Sequence, residues 1–543
     1  MPSLLQSLFR DLKRAKRPPQ PRRSDHELIE DARQRLGANQ LGEAQQLVEQ
    51  VLERDPGNAM ALHLLGLVAY RMQDRQQAVE LLEQSLRLEP GNAEFLNNLG
   101  SLYSDLGRVE DAVATLRQAL EIDRQLPIAR ANLIFCLMFL DKVSAKQVYA
   151  EHVAWAKIHA DSLQALALPH VNSRDPERLL RIGYVSAEFR QHANSFFIEP
   201  VLEQHSRRQF LVHCYYSGVV ADDTTARIRK TADVWRDIGR LDDDAAAELI
   251  RADAIDVLVD LSGHLRDNRL LVFARKPAPV QITWLGYLQT TGMRAMNYKL
   301  TDALADPPGK AEPYYAERLL RQPHCQWCYR PPSAAPAVNA LPALSKGAIT
   351  FGSFNRIIKI SPHAISLWAR ILQRLPDARL HILGVSAGVS GECLIGQFER
   401  AGVSASRIEL RPTLSFAEYW RAYHDVDIAL DTFPFNGATT TCEGLWMGVP
   451  AVSRAGTLGP QRSGVSLLTT IGLPHLAATS DDGYVAAAVR LAEDVQALAA
   501  LRARLRDDMR RSPLMDAPQF VRDLEANYRM VWRTWCAAPA SPN

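Results

Sequence analysis

Small and hydroxyl-bearing residues gather where an apolar run gives way to a helical pattern, in DIALDTFPFNGATTTCEGLWMGVP, residues 427–450. The order predicts a strand, a turn, and a helix opening on Gly437, Ala438, Thr439, Thr440 and Thr441. The first backbone N–H groups of a helix have no partner within it and lie at the positive end of its dipole. A diphosphate suits that place, with threonine hydroxyls as further donors. Glu443 follows within the first turn, in reach of a ribose hydroxyl. The same letters also describe an Asn-Gly turn and an N-capping threonine with no ligand at all.

Other candidates stand singly at expected strand ends. In FGSFNRIIKISP, residues 351–362, Lys359 offers a charge for a departing diphosphate and Asn355 a hydrogen bond to it, although a lysine after a strand is more often a surface residue. In GYVSAEFRQHANSFF, His192 is placed to accept a proton from a hydroxyl or to orient it, since an unperturbed imidazole titrates near neutrality. His264, in DLSGHLRDN, is a second histidine of this kind, and a structural role is open to both. The nearby carboxylates Asp260 and Glu248 read equally as bases or as solvated charges. Thr290, Thr291 and Gly292 form a turn after an aromatic-rich strand, either lining a cleft or serving as a turn alone. Contacts to a nucleotide base, which backbone groups often make, are expected around Arg411 to Leu414.

Two kinds of element would position these residues. PGNAMALHLLG at Pro56 recurs as PGNAEFLNNLG at Pro90, and 90 − 56 = 34, the tetratricopeptide period. In that register Ala44, Ala78 and Ala112 recur where paired helices cross, predicting about three repeats and a capping pair over residues 25–165. Stacked helix hairpins present a concave face to peptides, and Asn98 and Asn132, at one repeat position, are candidates to grip a peptide backbone or simply solvated residues. From residue 178 to 330, runs such as LLRIGYVS, FLVHCYYS, IDVLVDLSG and PVQITWLGY alternate with helical stretches, predicting a parallel sheet wound by crossover helices. A Pro/Ala-rich segment, 331–346, reads as a linker, and the alternation restarts over 347–515 with AITFGSF, ARLHILGV, IELRPT, DIALDTF and VPAVSR. The fold class expected is therefore an α-solenoid followed by two doubly wound Rossmann-like α/β lobes, with ligands beyond the carboxyl ends of the strands. An amphipathic stretch at 516–536 suits a helix crossing back to the first lobe.

Composition narrows the classes. At 47% hydrophobic and 23% charged residues the chain is globular, and its formal charge of +2 gives no support to nucleic-acid binding, the basic run at 10–23 reading as part of a disordered start, 1–24. Neither a membrane span nor a signal peptide is legible, so a cytoplasmic place is expected. Seven cysteines scattered over 543 residues suit reduced thiols, and Cys325 and Cys328 beside His324 make one CxxC without the second pair that a zinc site needs.

Together these motifs resemble the O-linked GlcNAc transferase family, glycosyltransferase family 41, which joins tetratricopeptide repeats to a GT-B catalytic region. The resemblance covers nearly the whole chain after residue 25 and is carried by RIGYVSAEF…H at 181–192, RKPAPVQITWLGYLQTTG at 275–292, FGSFNRIIKI at 351–360 and LDTFPFNGATTTCEGLWMGVP at 430–450. LTDALADPP (300–308), TFGSFN (350–355), TTTCEGLWMGVP (439–450) and GVSLLTTIGLPHL (464–476) look closest to the SPINDLY-type branch, which uses GDP-fucose. Ala438 stands where enzymes of the UDP-GlcNAc type carry a histidine. The resemblance implies an inverting transfer of sugar from a nucleotide sugar to serine or threonine hydroxyls of protein substrates held by the repeats. It also implies no cofactor or metal; no DxD pair stands at a strand end. Carried over, His192 is the cleft histidine, Lys359 the diphosphate lysine, Thr439 to Thr441 the phosphate-loop hydroxyls and Glu443 the ribose-binding acid. A short repeat arm would also serve self-association into a homo-oligomer. A non-catalytic scaffold, or an enzyme of this fold with a non-protein acceptor, is the alternative.

Overall fold

The computed structural model describes residues 23–539, so the expected basic segment 1–24 falls outside them except for Arg23 and Ser24. The described residues divide into two compact units, with the boundary between Leu102 and Tyr103.

In the first unit, helices Asp25–Gly37, Leu41–Leu52, Ala59–Arg71 and Arg75–Leu88 follow one another through short turns, and a fifth, Ala93–Asp105, begins. The repeated PGNA phrase is the punctuation between them. Asn58 Oδ1 accepts the Ala61 N–H at 3.0 Å and Asn92 Oδ1 the Phe95 N–H at 3.2 Å, so each phrase stops one helix and caps the next. Ser24 and Glu27 close a capping box at the first helix. Ala44 and Ala78 are fully buried, as close helix crossing requires.

The second unit opens with the helices Val109–Ile122, Pro127–Leu137 and Ala145–His159. His152 on the last of these meets the Tyr287 hydroxyl at 2.7 Å, so the end of the expected 25–165 arm packs as part of the α/β region. Behind it stands a seven-stranded all-parallel sheet, β1 Leu180–Ser186, β2 Phe210–Tyr216, β3 Val234–Asp237, β4 Val257–Asp260, β5 Val280–Thr283, β6 Tyr298–Asp302 and β7 Arg318–Gln322, in the order β3-β2-β1-β4-β5-β6-β7. A second sheet contains β8 Thr350–Ser353, β9 Arg379–Leu383, β10 Ile408–Arg411, β11 Ile428–Leu430, β12 Ala451–Arg454 and the two-residue β13 Ala477–Ala478, in the order β10-β9-β8-β11-β12-β13, again parallel. Helices between most successive strands cover the sheets, giving two Rossmann-like lobes.

The segment 331–346 is firmly seated. Leu341 is buried, the Ala343 N–H bonds Asp427 Oδ1 at 2.9 Å, and Arg502 Nε reaches the Asn339 carbonyl at 3.0 Å. Helix Ala517–Ala537 returns to the first lobe, where Tyr528 and Tyr184 hydroxyls meet at 3.1 Å and Glu525 accepts from His205 Nδ1 at 2.9 Å. The carboxyl edges of the two sheets also meet. Ser466, beyond β12, donates to Asp302 Oδ2 at the end of β6 (2.7 Å), and Arg462 Nε to the Leu304 carbonyl (2.9 Å). Among the described residues no helix is long and apolar enough to cross a membrane.

Candidate functional site

Asp431 directly follows β11, and the chain turns through 432–438 before helix Thr439–Trp446 begins. Buried Asp431 organises that turn: Oδ1 accepts the N–H groups of Thr432 (2.9 Å) and Gly437 (2.7 Å), and Oδ2 accepts from Ser453 Oγ (2.6 Å). A Cβ at Gly437 would lie 2.4 Å from Thr440 Oγ1 and 3.0 Å from Asn355 Oδ1, so a larger residue there would displace these two polar groups. No side chain caps the helix: Ala438 holds the cap position, Thr441 Oγ1 turns back to the Gly437 carbonyl at 3.0 Å, and Thr440 Oγ1 donates to Asn355 Oδ1 at 3.1 Å. The turn is present but no threonine caps the helix, so the helix start retains its positive end.

Lys359 comes from the neighbouring strand end, on the short 3-10 turn Ile357–Lys359 after β8. Its Nζ donates to the Asn436 carbonyl at 3.0 Å and lies 4.5 Å from the centre of the Phe435 ring. Burial pushes its pKa down to about 8, with Asp431 opposing that fall and Arg356 adding to it. Burial likewise pushes Asp431 up to about 6, against the hydrogen bonds from Ser453 and Gly437. Asn355, the lysine turn and the uncapped helix are thus brought together at the adjacent ends of β8 and β11.

Glu443 lies deeper, its Oε2 accepting the Tyr419 hydroxyl at 2.5 Å, while that hydroxyl is 3.0 Å from the Tyr423 hydroxyl. Burial pushes Glu443 up to about 7, and the Tyr419 bond opposes this. Leu414, half-buried, follows β10 in the loop before helix Phe416–Ala422, while Arg411 pairs with Glu409 and Asp425.

In the first lobe His192 sits half-buried past the end of β1, just before helix Ser195–Gln204. Its Nδ1 accepts the Asn194 N–H at 3.2 Å, which leaves the proton of the neutral ring on Nε2. Burial, with Arg190 nearby, pushes its pKa down to about 4, so the ring is neutral at physiological pH.

The remaining first-lobe candidates face inward, except Glu248, which is exposed on helix Asp243–Ala252. His264 is buried with Nε2 donating to the Thr291 carbonyl at 2.9 Å, and its ring packs edge-on against Trp155 at 4.7 Å. Thr290 Oγ1 donates to Glu317 at 2.6 Å, the Thr291 N–H to the same carboxylate at 2.7 Å, and Gly292 lies against the His152 backbone. These four residues form the seam between the last repeat helix and the lobe, and a cleft lining is not what their burial describes. Asp260 is buried too, holding the N–H groups of Ser262 and Gly263 and the Thr283 hydroxyl.

Asn98, in the first unit, has its amide engaged with His63 Nε2 at 3.0 Å, and that imidazole stacks on Phe95 at 4.0 Å. Asn132, half-buried on helix Pro127–Leu137 of the second unit, keeps the equivalent repeat position. Cys325 and Cys328 are buried free thiols, and among the described residues no group of three His, Cys, Asp or Glu side chains is arranged to hold a metal. Sequence reasoning missed Asp431 and Tyr419. Asp431 stood inside a quoted motif as a strand-end acid among apolar letters, whereas Tyr419 gives no local sign that it reaches a residue 24 positions away.

Two parallel Rossmann-like lobes with a charged, glycine-containing turn at the strand ends, preceded by helical repeats, define a GT-B glycosyltransferase region with a tetratricopeptide arm. The sequence profile of glycosyl transferase family 41 matches residues 108–328 and 337–524, and that of the tetratricopeptide repeat matches 30–71 and 63–127. The chain belongs to glycosyl transferase family 41. It is 40% identical over 423 residues to the Petunia hybrida protein named "Probable UDP-N-acetylglucosamine--peptide N-acetylglucosaminyltransferase SPINDLY", covering 77% of this chain and 45% of that one. The Arabidopsis thaliana protein of the same name is 44% identical over 372 residues, 67% of this chain and 41% of its own length. The chain therefore spans less than half the length of these two relatives. A solved structure of a Thermobaculum terrenum O-GlcNAc transferase mutant superposes with a TM-score of 0.88 at 37% identity, covering 94% of this chain and 98% of that one.

Proposed function

We propose that this chain transfers a sugar from a nucleoside diphosphate sugar to serine or threonine hydroxyls of proteins, with inversion at the anomeric carbon. The observation that carries the reading is the uncapped start of helix Thr439–Trp446 beside Lys359 and Asn355, which together offer N–H groups, a dipole and an ammonium to one diphosphate. In the reaction the acceptor oxygen attacks the anomeric carbon as the bond to the diphosphate oxygen breaks, charge grows on that leaving oxygen, and the hydroxyl's proton passes to the departing diphosphate, directly or through water. Lys359 and the helix start stabilise this charge, so the reading gives no role to a divalent metal. With Nδ1 already accepting and the proton on Nε2, His192 suits donation to a sugar or acceptor oxygen better than removal of the acceptor's proton. Glu443, bonded to Tyr419, takes the ribose, and the repeats take the acceptor protein.

GDP-fucose is the donor favoured by Ala438, which adds no side-chain donor at the phosphate loop. UDP-N-acetylglucosamine is the second reading, favoured by the names that the relatives carry. Calorimetric titration with GDP and with UDP, repeated on Lys359→Ala, tests both. Tighter GDP supports the fucosyl donor, tighter UDP the other, and Lys359→Ala is expected to weaken either by about tenfold or more, the size of a lost charge-assisted contact. Binding of neither nucleotide at millimolar concentration would overturn the enzymatic reading.

A further inference from the structure

Two turns of the repeat region lie directly on the loops that build the diphosphate site. The turn after helix Ala93–Asp105 meets the lysine segment: Arg356 Nη2 donates to Asp105 Oδ1 at 2.9 Å, and a Cβ on Gly107 would lie 3.1 Å from the Ile357 side chain. The turn after helix Pro127–Leu137 meets it again. There the Phe139 ring stacks on Phe435, with centroids 4.7 Å apart and planes 16° from parallel, and Asp141 Oδ2 accepts the His363 N–H at 3.2 Å. Phe435 is the ring beside the Lys359 ammonium, and Asn436, next to it, accepts from Nζ. The repeat period explains the double contact, because 139 − 105 = 34 and 141 − 107 = 34. Equivalent turns of successive repeats land before Lys359 in sequence, at Arg356 and Ile357, and after it, at His363.

We propose that Phe139 and Asp141 are positioning residues of the donor site, so that the last repeats hold the Lys359 turn and the Phe435 loop in the arrangement that receives a diphosphate. The proposal rests on the donor reading above and assigns the repeat region a second task besides meeting protein substrates. Phe139 is 3% exposed, and its contacts are Phe435 on one face and Phe135 edge-on at 4.9 Å. Removing the ring leaves Phe435 without its stacking partner, and the turn from Asp431 to Gly437 loses an external brace. His363, at the start of helix Pro362–Arg374, also meets Asp481 through Nε2 (3.0 Å), so Asp141 supplies the repeat side of a two-sided anchor. Reciprocity follows: a shift of these repeats changes donor affinity, and donor binding is felt by the repeats.

The test is calorimetric titration of the full chain with GDP and UDP, comparing wild type with Phe139→Leu, Phe139→Tyr and Asp141→Asn. Phe139→Leu keeps apolar volume but not the stack and is expected to weaken the tighter nucleotide about fivefold at unchanged stoichiometry, the ring-retaining Phe139→Tyr staying within about twofold of wild type. Asp141→Asn, which alters no apolar packing, is expected to weaken it about two- to threefold and stands as the independent measure should Phe139→Leu fold poorly. A merely structural role lowers the binding-competent fraction, and hence the stoichiometry, while leaving Kd alone. Wild-type Kd values in both Phe139→Leu and Asp141→Asn, with or without lost stoichiometry, overturn the proposal while the donor reading stands. Failure of the wild type to bind either nucleotide overturns both.

Discussion

Nucleotide affinity should fall on the alkaline side of neutrality, because the cation that meets the diphosphate titrates there. Lys359 has its pKa pushed down to about 8 by burial, against an opposing effect of Asp431 on the β11 turn and a reinforcing one from Arg356 on its own turn. Only the protonated ammonium attracts the diphosphate. For a free-protein pKa of about 8, the protonated fraction falls from about 0.9 at pH 7 to about 0.24 at pH 8.5, so the dissociation constant rises about fourfold, close to 0.8 kcal/mol. An unperturbed lysine near pKa 10.4 would change it by only a few per cent over that interval. Bound phosphate raises the lysine's pKa, which sets the upper limit of the fall without altering its onset. Titrations of GDP and UDP at the two pH values, with Lys359→Arg beside wild type, make the measurement. The guanidinium stays charged throughout, so Lys359→Arg reports any ionisation of the nucleotide itself. A flat wild-type response, or an equal fall in Lys359→Arg, refutes the assignment of Lys359 as the diphosphate cation.

Glu443 should reveal itself through stability. Its folded pKa, pushed up to about 7, exceeds the unfolded carboxylate value, so the folded state binds the extra proton. Its contribution is present in full below the unfolded pKa and is lost as pH rises to about 7, amounting to roughly 3 kcal/mol at most. Urea unfolding of wild type and Glu443→Gln at about pH 5 and pH 7.5 should show the variant gaining relative stability at the higher pH; parallel curves would contradict it. Tyr528→Ala should cost about 3–5 kcal/mol, since Tyr528 is fully buried between the returning helix and the first lobe, and chemical denaturation reads that loss directly.

The pattern of letters gave up some parts of this molecule more readily than others, for physical reasons. Strands buried on both faces read as apolar runs, so β1, β2, β4, β5, β8, β9, β11 and β12 were each announced by such a run, while the edge strand β10, IELR, was recognised despite its charges. β3 and β7 lie at sheet edges with the sequences VWRD and RLLRQ, where charge on exposed positions breaks the run, and β13 has only two residues. The repeat arm was legible through its period because the Asn58 and Asn92 caps must recur with the helices they start. The same period misled about partition: it carries on through residue 137, while packing changes where Ala145–His159 meets Tyr287, a contact 135 residues apart that no local pattern encodes.

The strand–turn–helix at 427–450 was legible as an element but not in its wiring, and the difference lies in which interactions are local. Gly437 and the threonines could be read as a phosphate cradle because helix starts obey local rules. That Asp431 links Gly437 to Ser453 and that Phe139 stacks on Phe435 are contacts between separate segments of chain. His264, Thr290, Thr291 and Gly292 show the converse error. They stand past strand ends, where ligands of open sheets gather, but the last repeat helix occupies that ground. Helix Ala145–His159 of the second unit thus closes part of the first lobe, and under the proposal above the turns at 105–107 and 139–141 steady the loops of the second. A change on the surface of helix Ala145–His159 should therefore disturb the seam with the first lobe, whereas a change at Phe139 or Asp141 should act on donor affinity, although both belong to the same few repeats.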